Sequence, residues 1–296
     1  MTEVTRTDGD RLRRPGRLRS IRLGDTTVTY VPDGAVTLVA RGWFPDASEA
    51  TWMTYRDHLD ESGSLVAGIG GLLVERDGRA LLIDAGYGPA KAPAQPGTPV
   101  GAVHGGSLLD NLTALGRDPA SIEAVAITHL HTDHIGWAWQ PVPGGDRPAF
   151  AAADYLIAES EWAKRRLSEA AGTSAAMLEV LGTRVRTIAD SDEIFPGVRA
   201  LPAHGHTVGH TGFVITDGGR RLIAFGDALH SPLQIGHPEL SAVVDYDPAG
   251  AATVRRRLVE DLARPATVGF GVHFADVVFG EVALEGDRPS WHALDD

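Results

Sequence analysis

The sequence predicts an α/β protein, a four-layer αββα sandwich built from two related halves, and three observations carry that expectation. Short apolar runs of strand length, bounded by Asp-Gly and Gly-rich turns, alternate with longer stretches of helical character. Strand-then-loop units recur in both halves, and each delivers an Asp or His at the strand end: Asp84, His129 to His134, His206, Asp227 and His273. The chain of 296 residues, with 43% hydrophobic and 22% charged residues, can bury a sizeable core as one large domain.

Residues 1–18 are charged and poor in large apolar side chains, which predicts a mobile arm, with 19–296 as the domain. Short strands follow at 20–23 and 27–31 around Gly24-Asp25. Residues 39–64 hold Trp43, Phe44, Trp52 and Tyr55, and read either as a short helix and loop over a pocket or as a helix packing its aromatics on the core. Runs 65–74 and 80–83 form a hairpin through Asp77-Gly78, ending in Asp84. The Pro- and Gly-rich stretch 89–106 reads as a loop, and 108–115 as a helix with Ser107 as its N-cap.

Residues 125–127 are a buried strand, 153–158 another, and 159–171 a charged amphipathic helix closed by Gly172. Strands at 184–188 and 198–201 flank Asp190-Ser191-Asp192, and a second hairpin, 213–215 with 222–225, delivers Asp227. Asp247-Pro248 has the form of an N-cap and first helical position for a helix over 249–263. Its Arg255-Arg256-Arg257 run reads as a solvated face. Residues 267–270 form the last core strand, and 277–283 close the sheet before a polar tail.

The chemistry concentrates in Thr128-His129-Leu130-His131-Thr132-Asp133-His134, directly after the apolar run Val125-Ala126-Ile127. Strand alternation, if it persists, places His129, His131 and Asp133 on one side, with His134 at the turn. Neutral imidazole and carboxylate are the usual donors to zinc and similar cations. A buried strand end crowded with polar rings needs partners, so the cluster reads as a metal site.

His129-Leu130-His131-Thr132-Asp133-His134 resembles the HxHxDH signature of the metallo-β-lactamase-fold hydrolases. Further elements agree in order: Ile83-Asp84-Ala85-Gly86, then Gly205-His206-Thr207-Val208-Gly209-His210 (with Val208 where the family has proline), then Asp227 and His273. The resemblance spans roughly 65–279, and ordered agreement is far more specific than one match. The stretch from Gly226 through His230 and Asp245 to Arg257 is similar to the branch containing methyl parathion hydrolase and acyl-homoserine lactone lactonases.

That resemblance implies a metallo-β-lactamase-type sandwich with two divalent ions, Zn2+ foremost, although Mn2+, Fe2+ or Co2+ fit the same donors. His129, His131 and His206 would hold one ion, Asp133, His134 and His273 the other, with Asp227 bridging. Asp84 would orient a ligand histidine and His210 support the loop. A bridging hydroxide would attack an ester, lactone or thioester carbonyl. Asp133 and Asp227 would orient it and shuttle its proton. His230 would contact substrate or leaving group, near where lactonases of this fold often carry a tyrosine. Phosphotriester hydrolysis, a polyketide cyclase/thioesterase and a non-catalytic metal-binding module are the alternatives. The last is disfavoured because structural zinc sites close with four ligands.

The chain has no cysteine, hence neither a disulfide framework nor a thiolate ligand. The best-known β-lactamases of this fold use a cysteine where this chain has Asp227, which argues against β-lactam hydrolysis. A net charge of −12 argues against nucleic acid and anionic membranes as partners. The polar N-terminus lacks a signal-peptide core, and no stretch has transmembrane length, so a cytoplasmic location is expected. Trp43, Trp52, Trp137 and Trp139 point to a small-molecule substrate with an apolar or aromatic part. A homodimer is compatible with the sequence.

Overall fold

Strand-forming runs segregate into two sheets in the computed structural model, which describes residues 7–286 and 288–294. The first sheet contains β1 (Arg19–Leu23), β2 (Thr26–Val39), β3 (Ser64–Arg76), β4 (Arg79–Ile83), β5 (Lys91–Ala92), β6 (Val100–His104), β7 (Ala124–Ile127), β8 (Asp154–Ala158) and β9 (Val185–Ile188). Their spatial order is β5-β6-β2-β3-β4-β7-β8-β9, with β1 paired to β2. The second contains β10 (Glu193–Phe195), β11 (Val198–Pro202), β12 (Thr211–Asp217), β13 (Arg220–Ala224), β14 (Thr267–Phe270), β15 (Phe279–Glu285) and β16 (Arg288–Ala293), in chain order.

Alternation along the strands builds the layers. Leu72, Val74, Leu81, Ile83 and Leu156 of the first sheet meet Phe213, Ile215, Leu222, Val268 and Phe270 of the second in the central core. The opposite face of the first sheet, with Leu73, Leu82, Val125 and Ile127, is covered by helices Leu108–Ala114, Thr132–Trp139 and Ala175–Gly182. Helix Pro248–Leu262 covers Ile223 and Phe225 of the second sheet through Leu258, Val259 and Leu262. This is the expected αββα order.

Strands β4, β7, β8 and β9 run parallel, as do β13 and β14. Parallel strands carry their C-terminal loops to one edge, where open α/β sheets form their ligand sites.

The structure corrects several sequence expectations. Residues 1–6 of the expected mobile arm lie outside the described residues, but the rest of that stretch is docked. Asp276 is wholly buried, and its carboxylate accepts from Arg14 Nε at 2.8 Å and from the Arg17 backbone N–H at 3.1 Å, while Arg11 Nε donates to its carbonyl. The arginines that suggested a solvated arm are the partners a buried carboxylate requires. The stretch 89–106 is more than a loop, because β6 pairs with β2 through Ala35 and His104 and extends the sheet. The charged helix expected over 159–171 divides into Glu159–Ala163 and a 3₁₀ segment, Arg165–Ala171, closed by Gly172 at φ 94°. The polar tail is strand β16, held by Trp291 against Phe225 and Phe274. Between 39 and 64, short helices bury Trp43, Phe44 and Trp52 in one cluster.

Candidate metal centre

Seven donors converge at the edge where the two sheets meet. Strand β7 ends at Ile127, and after an extended His131 (φ −78°, ψ 154°) the chain enters helix Thr132–Trp139. The expected strand alternation through Asp133 therefore does not hold. Asp133 and His134 occupy the first helical turn, because helical spacing is what packs Ile135, Trp137 and Ala138 into the core.

His129, His131, His206 and Asp227 form one group and Asp133, His134 and His273 a second, the donor atoms of each within 4.8 Å of one another. Asp227 faces both groups. Its Oδ2 lies 3.7 Å from His129 Nε2 and 3.5 Å from His206 Nε2. Its Oδ1 lies 3.2 Å from His134 Nε2 and 3.1 Å from His273 Nε2. Asp133 Oδ2 is 3.6 Å from both of the latter nitrogens.

The outward ring nitrogens are engaged elsewhere, which assigns the tautomers. His134 Nδ1 donates to Asp84 Oδ2 at 2.9 Å, His206 Nδ1 to Asp245 Oδ1 at 3.0 Å, and His273 Nδ1 to Gly68 O at 2.7 Å. The Thr128 hydroxyl donates to Asp84 and so accepts from His129 Nδ1. Lone pairs are thereby aimed inward. His129 Nε2, His134 Nε2 and Asp227 Oδ1 are buried without a hydrogen-bond partner, and His131 Nδ1 faces His206 Nε2 at 3.1 Å. Convergent, unpartnered, buried lone pairs are what a bound cation satisfies. The donor set fits two divalent ions.

The electrostatics agree. Burial, reinforced by the His134 and His131 rings, holds His129 well below the usual histidine value. Burial and the His206 ring push His131 down to about 3. Burial acts against charge on His134 and His273 as well, but Asp227 and Asp133 outweigh it and raise both. Burial likewise opposes ionisation of Asp227, yet the rings of His134, His273 and His129 hold it well below the ordinary carboxylate value. The carboxylates thus favour positive charge beside His134 and His273, which a bound cation would supply.

Supporting residues tie the ligand loops together. Asp84 sits at the end of β4 and also accepts from the Thr128 N–H at 2.8 Å. The His210 Nδ1–H donates to Ala203 O, and its Nε2 accepts from the Asp227 N–H at 3.0 Å, so His210 braces the bridging loop as the family resemblance implied. His204 points away and donates to Val208 O. Two supports were not legible in the sequence. Glu161, buried, accepts from Leu130 N, Thr207 Oγ1 and Gly209 N, joining the loop of His131 to the loop of His206. Arg255 corrects the reading of 255–257 as a solvated face. It is 0% exposed, donating to Asp245 Oδ2 at 3.1 Å and Ser241 Oγ at 2.6 Å, while Arg256 and Arg257 are exposed. Its spacing from Ala252 and Leu258 is the signal that places it on the buried stripe.

A cavity of about 710 Å³ opens over the centre, with His131, Asp133, His206, Asp227, His230 and His273 at its floor. Val36, Leu38, Ile69, Val100, Val103 and Tyr87 line its walls, together with Trp43 and Trp139. Trp52 and Trp137 are core residues instead, Trp137 donating through Nε1 to Asp33. His230 is buried, its Nε2 3.3 Å from Asp227 Oδ2 and its ring edge-on to Trp43 at 5.3 Å.

Across residues 72–271 the sequence matches the family model of the Metallo-beta-lactamase superfamily. The chain belongs to that superfamily. Among solved metallo-β-lactamase-fold structures it is similar to AidC, a dizinc quorum-quenching lactonase, at 20% identity and a TM-score of 0.78 over 96% of this chain and 99% of the other. It is also similar to the hydrolase AbOPH, at 22% identity and 0.77 over 95% and 98%. A point mutant of AiiA from B. thuringiensis matches at 18% identity and 0.63 over 86% and 94%. These likenesses show the metallo-β-lactamase fold. No curated protein sequence matches the chain. Among the described residues, no helix is long and apolar enough to cross a membrane.

Proposed function

We propose that this superfamily member is a two-metal hydrolase that cleaves an uncharged ester or lactone with an apolar acyl group, thioesters being the neighbouring class. The observation that carries the reading is the seven-donor cluster, joined by Asp227, at the floor of a cavity whose lining, among the described residues, contains neither lysine nor arginine. Such walls offer no counter-charge to a phosphate or carboxylate on the substrate, and desolvating one there is costly. AidC was captured with N-hexanoyl-homoserine product and AiiA with N-decanoyl-L-homoserine, which favours the lactone within this class.

His129, His131, His206 and Asp227 would hold one ion, and Asp133, His134, His273 and Asp227 the other, with zinc the foremost candidate. Such a pair acidifies a shared water and polarises the scissile carbonyl when bound. Asp133 and Asp227 orient the nucleophile and carry its proton toward the leaving group. His230 is kept below the usual histidine value by burial, against the pull of Asp227. It therefore presents a neutral ring that can hydrogen-bond substrate or leaving group. Trp43 fixes that ring edge-on, and the aliphatic wall takes the acyl chain.

The test is metal content and turnover measured together on wild type and Asp227→Ala, against a lactone, an aryl ester, a thioester and a phosphotriester. Close to two ions per chain, with turnover of the lactone or aryl ester collapsing in the variant, is the expected result. Activity indifferent to Asp227, or less than one ion after reconstitution, overturns the mechanism in favour of a binding module. A dominant phosphotriester rate would instead move the substrate class.

A further inference from the structure

Asp33 lies outside the donor cluster, and no step proposed above uses it. It is the extra residue of a bulge in β2: Pro32 pairs with Gly70 and Gly34 with Ile69, so Asp33 is turned out of the ladder. Bulges of this kind re-aim a side chain. The carboxylate is 1% exposed and meets five N–H donors. Oδ2 accepts from Tyr87 N at 2.7 Å and Gly88 N at 3.0 Å. Oδ1 accepts from Gly106 N at 3.0 Å, Leu108 N at 2.9 Å and Trp137 Nε1 at 2.9 Å. The chain closes around it so tightly that a Cβ at Gly86 would stand 2.5 Å from Oδ2, and one at Gly105 2.6 Å from the same atom.

The three segments held by this carboxylate all border the cavity. Tyr87 is itself on the wall. Gly106 and Leu108 follow the β5–β6 hairpin, whose Val100 and Val103 are wall residues. Trp137 belongs to the helix whose first turn carries Asp133 and His134. We propose that Asp33 is a positioning residue that sets the width of the substrate cavity, locking the Tyr87 loop and the β5–β6 hairpin to the helix carrying Asp133 and His134. An amide at this position keeps one acceptor oxygen and turns an NH2 group toward donors. At least one of the held segments must then let go, and the hairpin, a sheet edge, has the least else to hold it.

The kinetic part of the test rests on the hydrolase reading; the binding part does not. Wild type, Asp33→Asn and Gly105→Ala would be compared in three ways: metal content, fluorescence titration with the neutral apolar dye N-phenyl-1-naphthylamine, and KM and kcat for p-nitrophenyl esters of increasing chain length. Gly105→Ala wedges the hairpin from the carboxylate while leaving Asp33 intact, so it decides the question should Asp33→Asn fail to fold. Both variants should retain the wild-type metal content, bind the dye about tenfold more weakly, and raise KM for long-chain esters by a similar factor with kcat little changed, the scale of one or two lost hydrogen bonds. Wild-type dye affinity and chain-length preference, with only a lowered melting temperature, would overturn the proposal. So would metal loss with an unaltered cavity. Absence of ester turnover in the wild type defeats the hydrolase reading while the dye titration still decides the role of Asp33.

Discussion

At the scale of single residues, the site depends on groups that never face the substrate. His206 aims Nε2 inward because Asp245 takes its Nδ1–H, and Asp245 can stay ionised in a buried setting because Arg255 lies 3.1 Å from its other oxygen. Burial works against that ionisation, but the His206 hydrogen bond leads the forces that hold Asp245 down at about 2. Breaking a buried pair by removing one partner leaves an uncompensated charge and costs roughly 3–5 kcal/mol. Arg255→Met should therefore destabilise the fold by about 3 kcal/mol in urea unfolding. It should also weaken metal retention, with His206 losing its fixed orientation. An Arg255→Met variant as stable and as metal-rich as wild type would show that Asp245 needs no counter-ion. The arginine was hidden in the sequence by its two neighbours, since a run of like charges reads as surface even when one member falls on the helix's buried stripe.

At the scale of elements, the segment between β2 and β3 gives Trp43 to the cavity wall, and its anchoring has a pH signature. Helix Glu49–Thr54, capped by Ser48, leads into the turn Arg56–His58, where the Tyr55 and His58 rings meet edge-on at 5.1 Å. Burial pushes His58 down to about 4 from 6.5, against the pull of Asp57, and its Nδ1 is buried without a partner. Above pH 6.5 the ring is neutral in both folded and opened segments, so it contributes nothing to the pH dependence. As pH falls from 6.5 toward 4, the opened segment gains a proton that the packed one refuses, and stability drains over that window. Hydrogen exchange in Glu49–Thr54, corrected for intrinsic rates, should speed up between about pH 7 and about pH 5 in wild type. The same correction applied to His58→Gln should show a smaller change. Equal pH responses would assign the effect to other groups.

At the scale of the whole molecule, the donor set is divided between the halves of the sandwich. His129, His131, Asp133 and His134 follow β7 of the first sheet, whereas His206, Asp227 and His273 follow β11, β13 and β14 of the second. Ions held by both groups would tie one half to the other. A ligand that binds only the folded state at a hundredfold excess over its dissociation constant stabilises it by about 2.7 kcal/mol. For a domain of this size that is a melting shift of roughly 4 °C per ion. Chelation should lower the melting temperature by that order, and added Zn2+ should restore it. A melting temperature insensitive to chelator, in protein shown to lose its ions, would mean that the halves are held by the central core alone.

Much of this molecule was legible in the chain because the relevant signals are local. Short apolar runs, Asp-Gly turns and the Asp247-Pro248 cap mark elements whose energetics are settled within a few residues. The family's HxHxDH-like stretch, with His206, Asp227 and His273 in order, located the donors, and the structure gathers those same seven side chains. What the sequence could not determine depends on distant partners. Asp33, Glu161 and Arg255 look like any surface charge until folding removes them from water and obliges each to find polar partners from ten to more than a hundred residues away. The N-terminal arginines are the same case, docked on Asp276 although their composition predicts a free arm. Which tryptophans meet the substrate cavity and which fill the core was likewise decided only in three dimensions, because burial of an aromatic ring is common to both and the cavity exists only between the packed layers.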